Sequence, residues 1–83
     1  MGRRLFVGNL SYDTTEMGLR ELFSLEGTVS EAKLVMDRET GKMRGFGFVE
    51  MSSAEEASMA IAKLDGCDVD GRAISVTEAR ERR

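Results

Sequence analysis

Residues 44–51, RGFGFVEM, constrain the fold of this chain more than any other segment because they place two aromatic rings at a spacing of two. On a β-strand, alternate side chains lie on the same face of the sheet. One face of this strand would carry Arg44, Phe46, Phe48 and Glu50, and the other would carry Gly45, Gly47, Val49 and Met51. Because Val49 and Met51 suit a buried core, we predict that the two rings lie on an open face.

Hydrophobic periodicity predicts two helices and three further strands around that segment. Residues 13–27 and 53–66 carry apolar side chains at intervals near 3.6, and each segment begins with a capping-box pattern, Asp13 with Glu16 and Ser53 with Glu56. Residues 5–10, 29–36 and 73–77 are apolar or alternating and are bounded by turn-forming residues. The predicted order is therefore strand, helix, strand, strand, helix, strand.

This order predicts an α+β domain with the ferredoxin-like βαββαβ sandwich, in which two helices pack on one face of a four-stranded antiparallel sheet. A chain of 83 residues suffices for one domain. We expect that domain to span residues 1–83, with a core at about 3–79 and a basic tail at 80–83. Since so short a chain cannot cover both faces of a sheet, we expect Phe6, Phe46 and Phe48 on the bare face.

Charge is divided unequally between the predicted helices and the predicted sheet, although the net charge is only −3. The helical segments with their flanking turns carry two basic and nine acidic side chains, whereas the strands, the central loop and the two ends carry ten basic and six acidic ones. Such asymmetry suits a polyanion that approaches the sheet side. Glu31 and Glu50, both predicted on the open face, would repel such a polyanion. The alternative interpretation of the asymmetry is a scatter of solvated charges without a function.

The residue types that the chain lacks disfavour several classes of function. It has no histidine and a single cysteine, so nucleophile and base pairs, internal disulfides and Cys-x-x-Cys metal loops are hard to assemble. We therefore expect no enzyme, no metal site and no cofactor. No apolar run approaches the ~20 residues that span a bilayer. Residues 1–10 do not resemble a signal peptide, so we expect no membrane contact and a cytoplasmic location.

Two short motifs make the chain resemble the RNA recognition motif family over nearly its whole length. RGFGFVEM meets the octamer pattern of the family at every specified position except the last, where Met51 replaces an aromatic residue. LFVGNL at residues 5–10 is similar to the companion hexamer of the family. Because Met51 is predicted to point into the core, this departure affects packing and leaves the binding face unchanged.

The resemblance implies that the chain binds single-stranded RNA through its sheet. Phe6 and Phe48 would each stack on a base, Phe46 would lie against sugars, and Arg44 would pair with a phosphate. Five further residues are weaker candidates for contact with RNA, namely Asn9, Lys33, Val35, Arg80 and Arg82.

The resemblance also bears on the partner and source of the protein. We expect a monomer that binds single-stranded RNA in post-transcriptional regulation or RNA chaperoning, and single-stranded DNA stays open as a second ligand. The main alternative is a protein-interaction module, because relatives of this fold can hold peptides on their helices or on a sheet that has lost its aromatics. The brevity of the chain resembles the small single-domain members found in bacteria, so we expect a bacterial protein.

Overall fold

A computed structural model describes residues 2–79, which form a four-stranded antiparallel sheet with two helices on one face. The elements in chain order are β1 (Arg4–Gly8), α1 (Glu16–Ser24), β2 (Val29–Met36), β3 (Met43–Met51), α2 (Ala54–Leu64), β4 (Asp68–Val69), β5 (Arg72–Ala73) and β6 (Ser75–Glu78). The order across the sheet is β2-β3-β1-β6, and β4 and β5 form a separate short hairpin. The predicted βαββαβ sandwich is therefore confirmed.

The register between β1 and β3, the two central strands, decides which side chains each face of the sheet receives. Phe6 lies opposite Phe48, and Leu5 lies opposite Val49. Leu5, Val49 and Met51 are fully buried, whereas the two phenylalanines keep part of their surface open to solvent. Met51 therefore belongs to the core, as the sequence predicts.

The two helices close the core over the buried face of the sheet. α1 contributes Leu19 and Phe23, and α2 contributes Ala57, Ala60 and Leu64. Complete burial of a side chain such as Phe23 stabilises the fold by about 1.5–3 kcal/mol. The small side chains of Ala57 and Ala60 let α2 pack closely against the sheet, where it contacts β3 and β6.

The beginnings of the helices agree only in part with the predicted capping boxes. α1 is capped by the hydroxyl of Thr15, which accepts a hydrogen bond from the Gly18 N–H at 3.0 Å, and Asp13 is not the cap. α2 is capped by Ser53 as predicted, through a hydrogen bond of 3.2 Å from the Glu56 N–H. Threonine and aspartate both serve as N-caps, so the sequence pattern alone does not separate Asp13 from Thr15.

The carboxylate of Glu56 joins α2 to the corner between α1 and β2. Its Oε1 accepts hydrogen bonds from the Ser52 hydroxyl and from the Thr28 N–H, the latter at 3.1 Å. These two hydrogen bonds lower the pKa of Glu56 below its usual value. A Cβ atom on Gly27 would lie 2.8 Å from Cδ of Glu56, so glycine leaves the room that this contact needs.

We expect Glu56→Gln to reduce the dependence of stability on pH in the acid range. Because the folded-state pKa of Glu56 is depressed, the ionised carboxylate stabilises the fold above its usual pKa of 4.5. That contribution is lost as the pH falls through the lower folded-state value. Urea unfolding at several pH values between about 3 and 7 should therefore show a wild-type advantage that narrows toward the acid end.

Glu55→Gln is the matched control for that measurement, because Glu55 lies in the same helical turn and is exposed. Within residues 2–79 its carboxylate has no hydrogen bond to the corner. A difference between wild type and Glu56→Gln that stays constant with pH, or that Glu55→Gln reproduces in full, would contradict the role assigned to Glu56.

Candidate nucleic-acid interface

The face of the sheet opposite the helices carries three phenylalanine rings in mutual contact. The ring centroids of Phe6 and Phe46 are 5.5 Å apart, those of Phe6 and Phe48 are 5.8 Å apart, and those of Phe46 and Phe48 are 6.4 Å apart. Both pairs that involve Phe48 meet edge to face, with interplanar angles of 67° and 87°. The structure thus brings together the three rings that the sequence assigns to this face, and each ring is only half-buried.

A row of four side chains crosses the sheet through two of these rings. Lys33 is paired with Phe48, Phe48 with Phe6, and Phe6 with Thr77, so each strand of the sheet contributes one residue. Neighbouring strands lie about 4.8 Å apart, which makes the row about 14 Å long. It presents a cation at the β2 edge, two rings at the centre and a hydroxyl at the β6 edge.

Arg4 lies beside the rings, although it is not among the residues predicted from the sequence. Its guanidinium carbon is 5.1 Å from the centroid of the Phe48 ring. At an exposed site such a cation–π contact is worth about 0.5–1 kcal/mol. The signal was present in the sequence, because Arg4 precedes Phe6 by two positions on β1 and alternate residues share a face. Arg4 therefore restrains the Phe48 ring and adds positive charge next to it.

The acidic side chains of this face are paired with cations and lie at one end of it. Glu31 and Glu50 are opposite each other in the register of β2 and β3, and like charges in that position repel. Arg3 donates a hydrogen bond to Glu50 at 3.3 Å, and the Lys33 Nζ lies 3.8 Å from a carboxylate oxygen of Glu31. These ion pairs offset part of the repulsion and occupy two of the nearby cations.

Gly45 interrupts the alternation of β3 between Arg44 and the rings. Its φ is 92°, and the pairing of β2 with β3 shifts register between Leu34 and Met36. Such a bulge re-aims the side chains next to it, and glycine adopts positive φ without a steric penalty. Arg44 is exposed beyond this bulge, where it lines a groove together with Tyr12 and Met36.

The remaining predicted contacts are placed in different ways. Val35 is half-buried on β2 next to the bulge. Asn9 has a φ of 58°; its Nδ2 donates to the Ala73 carbonyl at 2.7 Å, and its Oδ1 accepts from Arg72 at 3.0 Å. Asn9 therefore fixes the loop after β1 against β5, and its contact with RNA stays a prediction. Two predicted residues of the basic tail lie outside the described residues, Arg80 and Arg82.

The sequence profile of the RNA recognition motif family matches residues 5–75, which include β3, all of β1 except Arg4, and all three rings. The chain belongs to the RNA recognition motif family. The prediction of the family is therefore confirmed.

Two curated relatives of this RNA recognition motif are plant proteins. The chain is 53% identical over 79 residues to the chloroplastic 31 kDa ribonucleoprotein of Nicotiana plumbaginifolia. It is 56% identical over 79 residues to the mitochondrial glycine-rich RNA-binding protein 5 of Arabidopsis thaliana. Each match covers 95% of this chain and 27% of the relative, so the chain spans about a quarter of the length of these proteins.

These relatives overturn the expectation of a bacterial protein, which is wrong. That expectation rested on the shortness of the chain, and a domain of this length also occurs as one part of the longer organellar proteins. Their names refer to chloroplasts and mitochondria and give no support to a cytoplasmic location. Within residues 2–79, no helix is long and apolar enough to cross a membrane.

Solved structures share the fold of this RNA recognition motif. The crystal structure of RNA-binding protein PG1 is 43% identical and superposes with a TM-score of 0.92 over 98% of both chains. The Sxl-lethal protein/RNA complex is 29% identical and superposes with a TM-score of 0.93 over 100% of this chain and 50% of that chain.

Among the described residues there is no group of three or more His, Cys, Asp or Glu side chains that could hold a metal ion.

Gly8 and Gly47 provide a matched pair of substitutions, because both are buried on central strands but meet different neighbours. A Cβ atom on Gly8 would lie 2.9 Å from Cε2 of Phe6, whereas one on Gly47 would collide with the Lys33 carbonyl oxygen. A ring can turn aside, but the backbone of β2 cannot move without loss of its pairing. We expect Gly47→Ala to lower the free energy of unfolding by about 1–3 kcal/mol, and Gly8→Ala to lower it by less.

Chemical denaturation measures the stability of both variants, and NMR contacts between the phenylalanine rings report the arrangement of the face. Gly8→Ala should weaken the contacts that Phe6 makes with the other two rings. Equal losses of stability in the two variants would contradict the expectation that the Phe6 ring turns aside more easily than the β2 backbone moves. An unchanged ring cluster in Gly8→Ala would show that Gly8 does not set the position of Phe6.

Proposed function

We propose that this chain binds single-stranded RNA on the open face of its sheet, without catalysis. The proposal depends on one observation, the cluster of Phe6, Phe46 and Phe48 on a face that the helices leave open. Every nucleobase has a π-face, so exposed rings stack on bases with about 1–3 kcal/mol per base. The relatives named as a ribonucleoprotein and an RNA-binding protein support this reading.

Phe6 and Phe48 act as the two base platforms, because they lie opposite each other at the centre of the row that crosses the sheet. Phe46 lies against the ribose between neighbouring nucleotides. Arg4 places positive charge beside the Phe48 platform, where it can pair with a phosphate. Lys33, the neighbour of Phe48 in the row, can do so by exchanging its exposed 3.8 Å ion pair with Glu31 for a phosphate.

Residues at the borders of the rings give the site its sequence preference. Val35 offers an apolar contact at the β2 edge, and the exposed hydroxyl of Thr77 offers a hydrogen bond at the β6 edge. Arg44 pairs with a phosphate beyond the bulge. Asn9 acts through the loop that it holds against β5. Because stacking is indifferent to base identity, this preference is modest.

Such a surface suits a monomeric protein in post-transcriptional regulation or RNA chaperoning, where many different transcripts are bound. Single-stranded DNA can stack on the same rings, and only contacts with the 2′-hydroxyl would let the protein discriminate RNA from DNA. Parallel titrations with RNA and DNA of the same sequence measure that discrimination directly.

We expect Phe6→Ala/Phe48→Ala to weaken the binding of a short RNA by roughly thirtyfold or more, since two stacking platforms are lost. Fluorescence titration with labelled oligonucleotides at a fixed salt concentration measures this change. Met17→Ala/Met59→Ala is the matched control, because it truncates two large side chains that are exposed on the helices.

Absence of RNA binding, or equal binding by wild type and the phenylalanine variant, would refute the proposal. So would an equal loss in the methionine control. Saturable binding of a peptide to the helices, with no change in the amide resonances of the sheet on addition of RNA, would favour the protein-interaction alternative.

We expect Glu50→Gln to strengthen RNA binding by about two- to fivefold at low salt. The substitution removes an anion from the face and frees Arg3, which lies 3.3 Å from the carboxylate. Since the effect is electrostatic, it should shrink as ionic strength rises. Glu55→Gln on α2 is the control, and a gain of similar size there would assign the effect to net charge alone.

A further inference from the structure

Glu31 lies on the open face of the sheet, beside the ring of Phe48. Ala32 and Leu34 pack against the core, so the alternate residues Glu31 and Lys33 of β2 point to the other side. Because Lys33 is paired with Phe48, Glu31 is the diagonal neighbour of that ring across the two strands. Diagonal neighbours lie about 7–8 Å apart, within reach of a long side chain. A carboxylate therefore borders the surface on which a base would stack.

The Glu31 carboxylate has acceptor capacity for a ligand. Its side chain is 46% exposed, and its ion-pair partner, the Lys33 Nζ, lies 3.8 Å away, which is beyond the usual length of a hydrogen bond. From the described residues it therefore receives no hydrogen bond. When Lys33 exchanges this ion pair for a phosphate, the carboxylate is left opposite Glu50 without a cation. Like charges in that position repel, so N–H donors from the ligand would stabilise Glu31 there.

Glu50, the carboxylate opposite Glu31, is already engaged. Its Oε2 accepts a hydrogen bond from the Arg3 Nη2 at 3.3 Å, and its side chain is only 29% exposed. The two carboxylates therefore differ, although they carry the same charge on the same face. Glu50 contributes repulsion toward phosphate, whereas Glu31 can also accept hydrogen bonds from a base.

The four bases differ in what they offer to a carboxylate, which only accepts hydrogen bonds. Guanine presents N1–H and N2–H side by side on its Watson–Crick edge, so one carboxylate can accept both. Adenine and cytosine present one amino group beside a ring nitrogen that is itself an acceptor, and uracil presents N3–H between two carbonyl oxygens. In these three bases a lone pair faces the second carboxylate oxygen. Bidentate hydrogen bonds to a charged group add both strength and specificity.

We propose that Glu31 selects guanine as the base that stacks on Phe48, by accepting hydrogen bonds from its N1–H and N2–H groups. The inference rests on the proposed function, because it names the base that the same face prefers. A purine is wider than a phenyl ring, so its edge extends past Phe48 toward β2. The carboxylate that repels phosphate thus favours one base over the other three.

Single-base changes in a short RNA test this selection. The full chain is titrated at a fixed salt concentration with tetranucleotides of uridine in which one position, varied in turn, carries guanosine, adenosine, cytidine or inosine. Inosine is the matched probe, because it is guanosine without the 2-amino group. At one position we expect guanosine to bind roughly fivefold or more tightly than adenosine or cytidine, and more tightly than inosine.

Substitution of each carboxylate separates base selection from charge. Glu31→Gln should bind guanosine and inosine equally, because an amide offers one donor and one acceptor and does not need the 2-amino group. Glu50→Gln is the matched control, since it removes the same charge from the opposite residue of the same face. It should strengthen the binding of all these RNAs alike and keep the preference for guanosine. A preference that survives in Glu31→Gln, or that Glu50→Gln loses equally, would overturn the inference.

The outcomes distinguish this inference from the proposed function. If Phe6→Ala/Phe48→Ala abolishes binding while wild type binds the guanosine, adenosine and inosine RNAs equally, the role of Glu31 is wrong and the function stands. If wild type binds none of the RNAs, both proposals fail. If the preference for guanosine keeps its full size in Phe48→Ala, the base is read away from this ring and the inference is overturned.

Discussion

The antiparallel pairing of β1 with β3 is the interaction on which both faces of this protein depend. Leu5, Val49 and Met51 are fully buried on one side of the pair, and Phe6 faces Phe48 on the other. A slip of one residue would exchange the faces, exposing the apolar side chains and burying the rings. The free energy of core formation therefore also fixes the position of the aromatic face, and Gly47 keeps β2 close enough to extend the sheet.

The parts of the fold that follow from local periodicity were predictable from the sequence. Alternation along β3 identified its buried and open faces, and residues 73–77 were predicted as a strand, in which Ile74 and Val76 are buried. Features that depend on contacts between distant segments were not predictable. The hydrogen bonds of Glu56 to the α1–β2 corner depend on how the helices dock, which no local pattern specifies. The cap at Thr15 is local, but it was missed because Asp13 suits an N-cap equally well.

The binding face was predictable where the motifs specify it and unpredictable where the backbone departs from regularity. The two motifs identified the three phenylalanine rings. The prediction that Arg44 lies on the same face as the rings assumed an unbroken strand. Gly45 and the register shift beside it interrupt that alternation. Asn9 was selected as a contact, yet its amide is engaged by Arg72 and the Ala73 carbonyl. Arg4 was missed although alternation on β1 places it on the face of Phe6; only its contact with Phe48 depends on the pairing of two strands.

The distribution of charge explains how a protein with a net charge of −3 can present a face to a polyanion. Arg3 and Lys33 are tied to Glu50 and Glu31, so few cations of the sheet are left to replace the counterions of phosphate. Each phosphate neutralised on a single strand adds only about 0.7 to the slope of log affinity against log salt concentration. Each stacked base contributes about 1–3 kcal/mol to the free energy of binding. In the proposed complex, affinity therefore depends mainly on the rings and declines only gradually as salt increases.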